Sequence, residues 1–104
     1  MRGEVYRLRS PRNTGGHEQH GHRYAIVVQS DLLPLSTWLV APTSTSARPA
    51  SFRPEIELNG RPTRVLVEQT VAVDPSRLGD LAARLPLHDM SEIDNALRVV
   101  LGLA

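Results

Sequence analysis

Arg23 stands between a polar, glycine-rich stretch, G-H-E-Q-H-G-H over Gly16–His22, and an apolar run beginning Y-A-I-V-V at Tyr24. A charge held where a loop meets a rigid element is one that a protein can aim. The guanidinium is planar, always protonated and forked, so it suits a phosphate or a pentacoordinate phosphoryl transition state. The plainer use of such a residue is a surface ion pair at a strand end. A second group of interest is Thr43-Ser44-Thr45-Ser46, four hydroxyl residues in a row after Pro42. Alone they read as a turn; beside Arg23 they could hold a phosphate oxygen or orient a ribose 2′-OH. No G-x-S-x-G motif accompanies them, and no Asp is evidently paired with a His, so a serine here stabilises or positions rather than attacks. His17, His20 and His22 could in principle take zinc or nickel, but their spacing matches no common site and no thiolate or evident carboxylate completes it. Gly15, Gly16 and Gly21 around them argue against a rigid cage. The residues favour a solvated, pH-sensitive loop near a polyanion, with no metal and no cofactor. Glu68-Gln69 interrupts an apolar run and needs partners from the fold or from a ligand.

The elements that must position these groups follow from periodicity. Alternation over Glu4–Arg9 predicts a half-buried strand, and the continuous apolar run Tyr24–Gln29 a buried central one. Ser10–His22, between them, has neither helical nor strand period and reads as a long functional loop. Ser30–Ser36 is a turn, and Thr37–Ala41 a strand ending at Pro42. Glu55–Leu58 alternates into Asn59-Gly60, a strong hairpin signal. Thr63–Val73 answers it as a long strand bent near Glu68-Gln69. Asp74–Arg77 makes a turn, and Asp80–Leu85 a last short strand. Met90, Ile93, Leu97, Val100 and Leu101 line one face of a closing helix. Acids at Asp89, Glu92 and Asp94 suit its early turns, while Pro86 is a poor cap. Together these predict five to seven short strands closing a small barrel, with one C-terminal helix, as one domain over residues 1–104.

Composition narrows the classes. With 40% hydrophobic residues in 104, the chain can build a core, although one small enough that an oligomer interface would help it. The absence of cysteine excludes disulfides and thiolate catalysis. No apolar run reaches the ~20 residues of a membrane span, and the first residues enter a strand pattern without a signal-peptide core, so a cytoplasmic protein is expected. All twelve basic residues are arginine. Residues 1–66 hold nine of them against five acids, and residues 67–104 three against six. A basic front and an acidic tail suit a polyanion-binding face backed by a solvated or interface-forming segment.

In order and spacing the segments resemble the MazF/PemK family of toxin endoribonucleases over nearly the whole chain. The resemblance is carried by R-G-E-V at Arg2–Val5, G-x-E-Q-x-G-x-R at Gly16–Arg23, and the V-A-x-x-[S/T] strand end at Val40–Ser44. It continues through L-x-E-Q at Leu66–Gln69, D-x-x-R-L at Asp74–Leu78, and the closing M-S-E-I-D-N-A-L-R-V-V-L-G-L. Two positions depart from the pattern: Tyr24 stands where proline is common, and Val71 where an arginine is frequent.

The resemblance implies a mainly β, SH3-like barrel of the CcdB/PemK type with a C-terminal helix, a cytoplasmic homodimer, and metal-independent, sequence-selective cleavage of single-stranded RNA. The substrate would be mRNA, or loops of tRNA or rRNA, with translation and growth inhibited. Carried over by position, Arg23 and Ser44 match the catalytic arginine and hydroxyl residue, and Glu18 joins them. Glu68 and Gln69 fall at positions of catalysis or RNA contact. With His22, Thr43, Thr45 and Arg48 they form the expected RNA-binding set. The chemistry would be attack of a ribose 2′-OH on its own phosphodiester. Arg23 neutralises the phosphorane and Ser44 holds a non-bridging oxygen. The base is left between Glu18 and a loop histidine, because an arginine is a poor one. A cognate MazE-like antitoxin with an acidic, partly disordered tail would cover the rim formed by the Ser10–His22 loop and the Thr43–Arg53 connection. Two alternatives remain open: a non-catalytic toxin of the same fold that binds and poisons DNA gyrase, and an inactive relative that acts in autoregulation.

Overall fold

The computed structural model describes residues 1–9 and 23–103. Among the described residues seven strands, β1 (Glu4–Leu8), β2 (Tyr24–Val27), β3 (Trp38–Ser44), β4 (Glu55–Leu58), β5 (Arg61–Val65), β6 (Val71–Val73) and β7 (Leu78–Arg84), precede one α-helix, α1 (Leu87–Leu101). The sheet runs β4-β5-β3-β2-β1-β7, with β6 added on β3, and every pairing is antiparallel. It curls into a half-barrel. The small mainly β barrel with a C-terminal helix expected from the sequence is found in this form, the path of the sheet starting at β4 and ending at β7.

β3 holds this arrangement together. One of its sides pairs through its middle with β2, from Val27↔Val40 to Ala25↔Pro42. Its other side is shared: Trp38–Val40 pairs with β6 and Thr43–Ser44 with β5. Between β5 and β6 lies a 3-10 turn, Val67–Gln69, the bend expected at Glu68-Gln69. The strand does not end at Pro42 as the sequence suggested. The Pro42 carbonyl accepts from the Leu66 backbone at 2.8 Å, so its ring side faces the interruption between β5 and β6, where no ladder donor is missed. The hydroxyls Thr43 and Ser44 therefore belong to β3, on opposite faces of it.

The hairpin signal holds. Asn59 (φ 53°) and Gly60 (φ 77°) both take left-handed conformations, and Leu58 pairs with Arg61 across the two-residue turn. Asp74 caps the next 3-10 turn, its carboxylate accepting from Ser76 N–H at 2.9 Å.

The sheet has apolar residues on both faces, which explains why all four residues of β2 are buried. One face carries Val5, Tyr24, Ile26, Ala41, Ile56 and Val65, covered by Met90, Ile93 and Ala96 of α1. Burying Ile93 completely contributes roughly 1.5–3 kcal/mol. The other face carries Ala25, Val27, Val40 and Leu78, flanked by Tyr6, Leu8, Trp38 and Val73. Pro86 provides no side-chain cap for α1, as expected, and the helix ends on left-handed Gly102, with Leu103 N–H donating to the Arg98 carbonyl. The expected apolar face is covered only in its first turns: Val100 is 37% and Leu101 63% exposed. They line an open groove with Leu33, Leu35 and Leu39.

Candidate active site

Arg23 lies immediately ahead of β2 and is exposed. Its carbonyl accepts from Leu8 N–H at 3.0 Å, which ties this position to β1. On the other side, the β2–β3 register extended by two residues sets Arg23 opposite Ser44. Between that pair and the ladder, Tyr24 N–H donates to Thr43 Oγ1 at 3.3 Å, a side-chain link in place of a backbone one. The structure thus brings the two residues expected to be catalytic to one end of two adjacent strands.

Thr43 does not fit the RNA-contact role expected of it. It is 2% exposed, points into the core across from Val65, and its hydroxyl is taken by Tyr24. It is a clasp that positions the backbone next to Arg23. Ser44, one residue on, faces outward and is half-buried. Its Oγ accepts from Ser46 N–H at 3.2 Å and lies 3.4 Å from Ser46 Oγ, so this hydroxyl pair is preset at the strand end. Thr45 and Arg48 are exposed on the connection that follows.

Glu68 also departs from expectation. Its Oε2 accepts from Arg53 Nε at 2.9 Å and Nη2 at 2.6 Å, and Arg53 Nη1 reaches the Arg48 carbonyl at 3.2 Å. The hydrogen bonds from Arg53 hold this carboxyl below its ordinary range against the opposing effect of burial. Glu68 therefore braces the 45–54 connection against the 3-10 turn, and its partner comes from the fold. Its other oxygen, Oε1, is buried and has no hydrogen-bond partner among the described residues. Gln69 is exposed on the same turn. Glu18 and His22, with His17 and His20, lie outside the described residues. Among the described residues no group of three His, Asp or Glu is placed to hold a metal ion.

Sequence reasoning missed Arg64. It pairs directly with Ser44 across β3–β5 and sits half-buried on the outward face. Half of the signal was local, since the Asn59-Gly60 turn sets Glu55 opposite Arg64; the pairing with Ser44 is long-range.

Residues 1–101 match the family model described as PemK-like, MazF-like toxin of type II toxin-antitoxin system. The chain belongs to the PemK/MazF-like toxin family. Within the reach of that family it is 42% identical over 104 residues to a protein of Mycobacterium tuberculosis H37Rv that bears the name "Putative toxin Rv3098A/RVBD_3098A", covering 99% of this chain and 98% of that one. The PemK/MazF-like fold is matched in solved structures at low identity. An endoribonuclease in complex with its cognate antitoxin, from a mycobacterial species, superposes with a TM-score of 0.79 at 20% identity, over 100% of this chain and 96% of that one. The Mycobacterium tuberculosis toxin MazF-mt6 gives 0.76 at 14% identity, over 97% and 98%. Among the described residues no helix is long and apolar enough to cross a membrane.

Proposed function

We propose that this PemK/MazF-like toxin is an endoribonuclease that cuts single-stranded RNA by transesterification without a metal. The observation that carries this reading is that Arg23, directly ahead of β2, and Ser44, the last residue of β3, lie at the same end of two paired strands, with three histidines and Glu18 just before Arg23 in the sequence. The ribose 2′-OH attacks its own phosphorus, the bond to the 5′-oxygen breaks and that oxygen takes a proton from water, which yields a 2′,3′-cyclic phosphate and a 5′-OH. Arg23 supplies fixed positive charge where the phosphorane gathers negative charge, a contribution commonly worth several kcal/mol. Ser44 donates to a non-bridging oxygen. The proton of the 2′-OH goes to Glu18 or to a loop histidine, groups whose ordinary pKa values suit a base better than an arginine's.

The protein works as a homodimer in this reading. The uncovered groove between α1 and Leu33, Leu35 and Leu39 supports a second copy as its cover, since exposed apolar patches of this kind mark interaction sites. A cognate antitoxin neutralises it by laying an acidic segment over the arginine-containing rim; that a structurally similar mycobacterial endoribonuclease forms a complex with its cognate antitoxin supports the existence of such a partner. Inhibition of translation follows from the loss of RNA.

Incubation of the purified protein with RNA in excess EDTA tests the reading. Discrete cuts are expected. Intact RNA, together with inhibited supercoiling by DNA gyrase, would replace it with the gyrase-binding alternative.

A further inference from the structure

Ser44 has two cross-strand neighbours. β5 brings Arg64 to one side of it, and the β2–β3 register, continued two residues beyond its last pair at Ala25 and Pro42, sets Arg23 on the other. Arg64 in turn pairs with Glu55 on β4. Directly opposed residues project from the same face of a sheet. Ser44, Arg64 and Glu55 therefore form one row across β3, β5 and β4, and the continued register sets Arg23 at its end, so that the order runs cation, hydroxyl, cation, anion.

The bonds of Arg64 divide into a firm one and a weak one. Its Nη1 donates to the Arg53 carbonyl at 2.9 Å, which anchors the guanidinium at the edge of the connection that follows Ser44. Its Nη2 reaches Glu55 at 3.3 Å, and the Glu55 side chain is 56% exposed against 24% for Arg64. An exposed pair of that kind is worth at most about 1 kcal/mol. A charge-assisted fork to a phosphate is stronger. Glu55 is thus a placeholder that a phosphate displaces at little cost, while the carbonyl bond keeps the guanidinium in place.

Geometry says which phosphate. Arg23 and Arg64 are two strand spacings apart, ~10 Å between backbone positions. The Arg64 guanidinium leans toward Arg53 and Glu55, away from Ser44. It cannot share the phosphate held over Ser44 in that pose, but it faces the next one along. Past it, the outward positions of β4 are Glu55 and Glu57, both exposed, whose charges repel an RNA backbone.

We propose that Arg64 is a positioning residue that binds the phosphate adjacent to the scissile one, releasing Glu55 as it does so, and thereby sets the register of the RNA over Ser44. The strand crosses from β2 toward β5 and leaves the surface at Arg64. This assignment rests on the RNA-cleaving reading given above.

The test is binding of labelled, fully 2′-O-methylated single-stranded RNA of mixed sequence, measured at several salt concentrations. Arg64→Ala should weaken binding and reduce the slope of log affinity against log salt by about 0.7, the value of one lost phosphate contact on a single strand. With unmodified RNA the loss should fall on KM more than on kcat. Glu55→Gln should tighten binding several-fold and by more than Glu57→Gln, which removes the same charge from the same face. That excess should vanish in the Arg64→Ala background. An unchanged salt slope in Arg64→Ala protein overturns the assignment, as does an equal gain from Glu55→Gln and Glu57→Gln. If the native protein cuts RNA while these signatures are missing, the role of Arg64 falls and the nuclease stands. If the native protein binds the probe with the Arg64 signatures yet leaves unmodified RNA intact in EDTA, the nuclease reading falls and Arg64 is a contact of an RNA-binding surface.

Discussion

At the scale of single residues, Arg23 is exposed and its described hydrogen bond runs through its backbone carbonyl, which any side chain would retain. Among the described residues nothing in the fold depends on its side chain, so replacing it should leave the fold intact. Arg23→Ala is expected to lose at least roughly 10²-fold in kcat, the usual effect of deleting a donor aimed at developing charge. Arg23→Lys should recover only part of this, because a point charge does not replace a fork. Cleavage kinetics beside circular dichroism decide it: full activity in native-like Arg23→Ala protein would remove Arg23 from the site. The position of Arg23 at the entry to a strand could be read locally from sequence, whereas Ser44 was singled out of its run of hydroxyls only by the family resemblance. Thr43 could not be read in this way, since its inward direction depends on β3 continuing past Pro42, and a proline normally signals a strand's end. Arg64 was hidden for a different reason: its neighbour Ser44 is twenty residues away in sequence, and pairing at that distance leaves no local pattern.

At the scale of elements, the site is the place where β2 and β3 begin to part. The Tyr24–Thr43 bond substitutes for the missing backbone link and keeps the entry to β2 against β3. Thr43→Val keeps the volume but leaves the Tyr24 N–H buried without an acceptor. Its expected cost is ~1–3 kcal/mol, readable as a lower urea midpoint, together with slower cleavage as Arg23 loses its setting. Unchanged stability and unchanged kcat in Thr43→Val protein would show that the clasp sets nothing. The hairpin of β4 and β5 was legible because Asn-Gly prescribes its turn, and so was the bend at Glu68-Gln69, where two polar residues break an apolar run. What that bend is for was not legible. Glu68 looked like a contact awaiting a ligand, and only the packed chain reveals that Arg53 already occupies it.

At the scale of the whole molecule, the half-barrel with one C-terminal helix was readable from alternating strands followed by a 3.6-residue period. The period also shows that α1 has an apolar face, yet it cannot say how much of that face the same chain covers. Met90, Ile93 and Ala96 are buried while Val100 and Leu101 are not, because these last face an open groove whose other side is formed by Leu33, Leu35 and Leu39. The charge split between residues 1–66 and 67–104 likewise pointed to a basic side, and the row from Arg23 to Arg64 gives it a location. The central claim, that this surface directs a ribose 2′-OH at its own phosphodiester, is tested most directly by the chemistry of the cut ends. RNA digested in EDTA should carry a 2′,3′-cyclic phosphate on one fragment and a 5′-OH on the other, and a single 2′-deoxy substitution at the mapped site should abolish that cut. A 5′-phosphate end, or cleavage that survives the deoxy substitution, would contradict it.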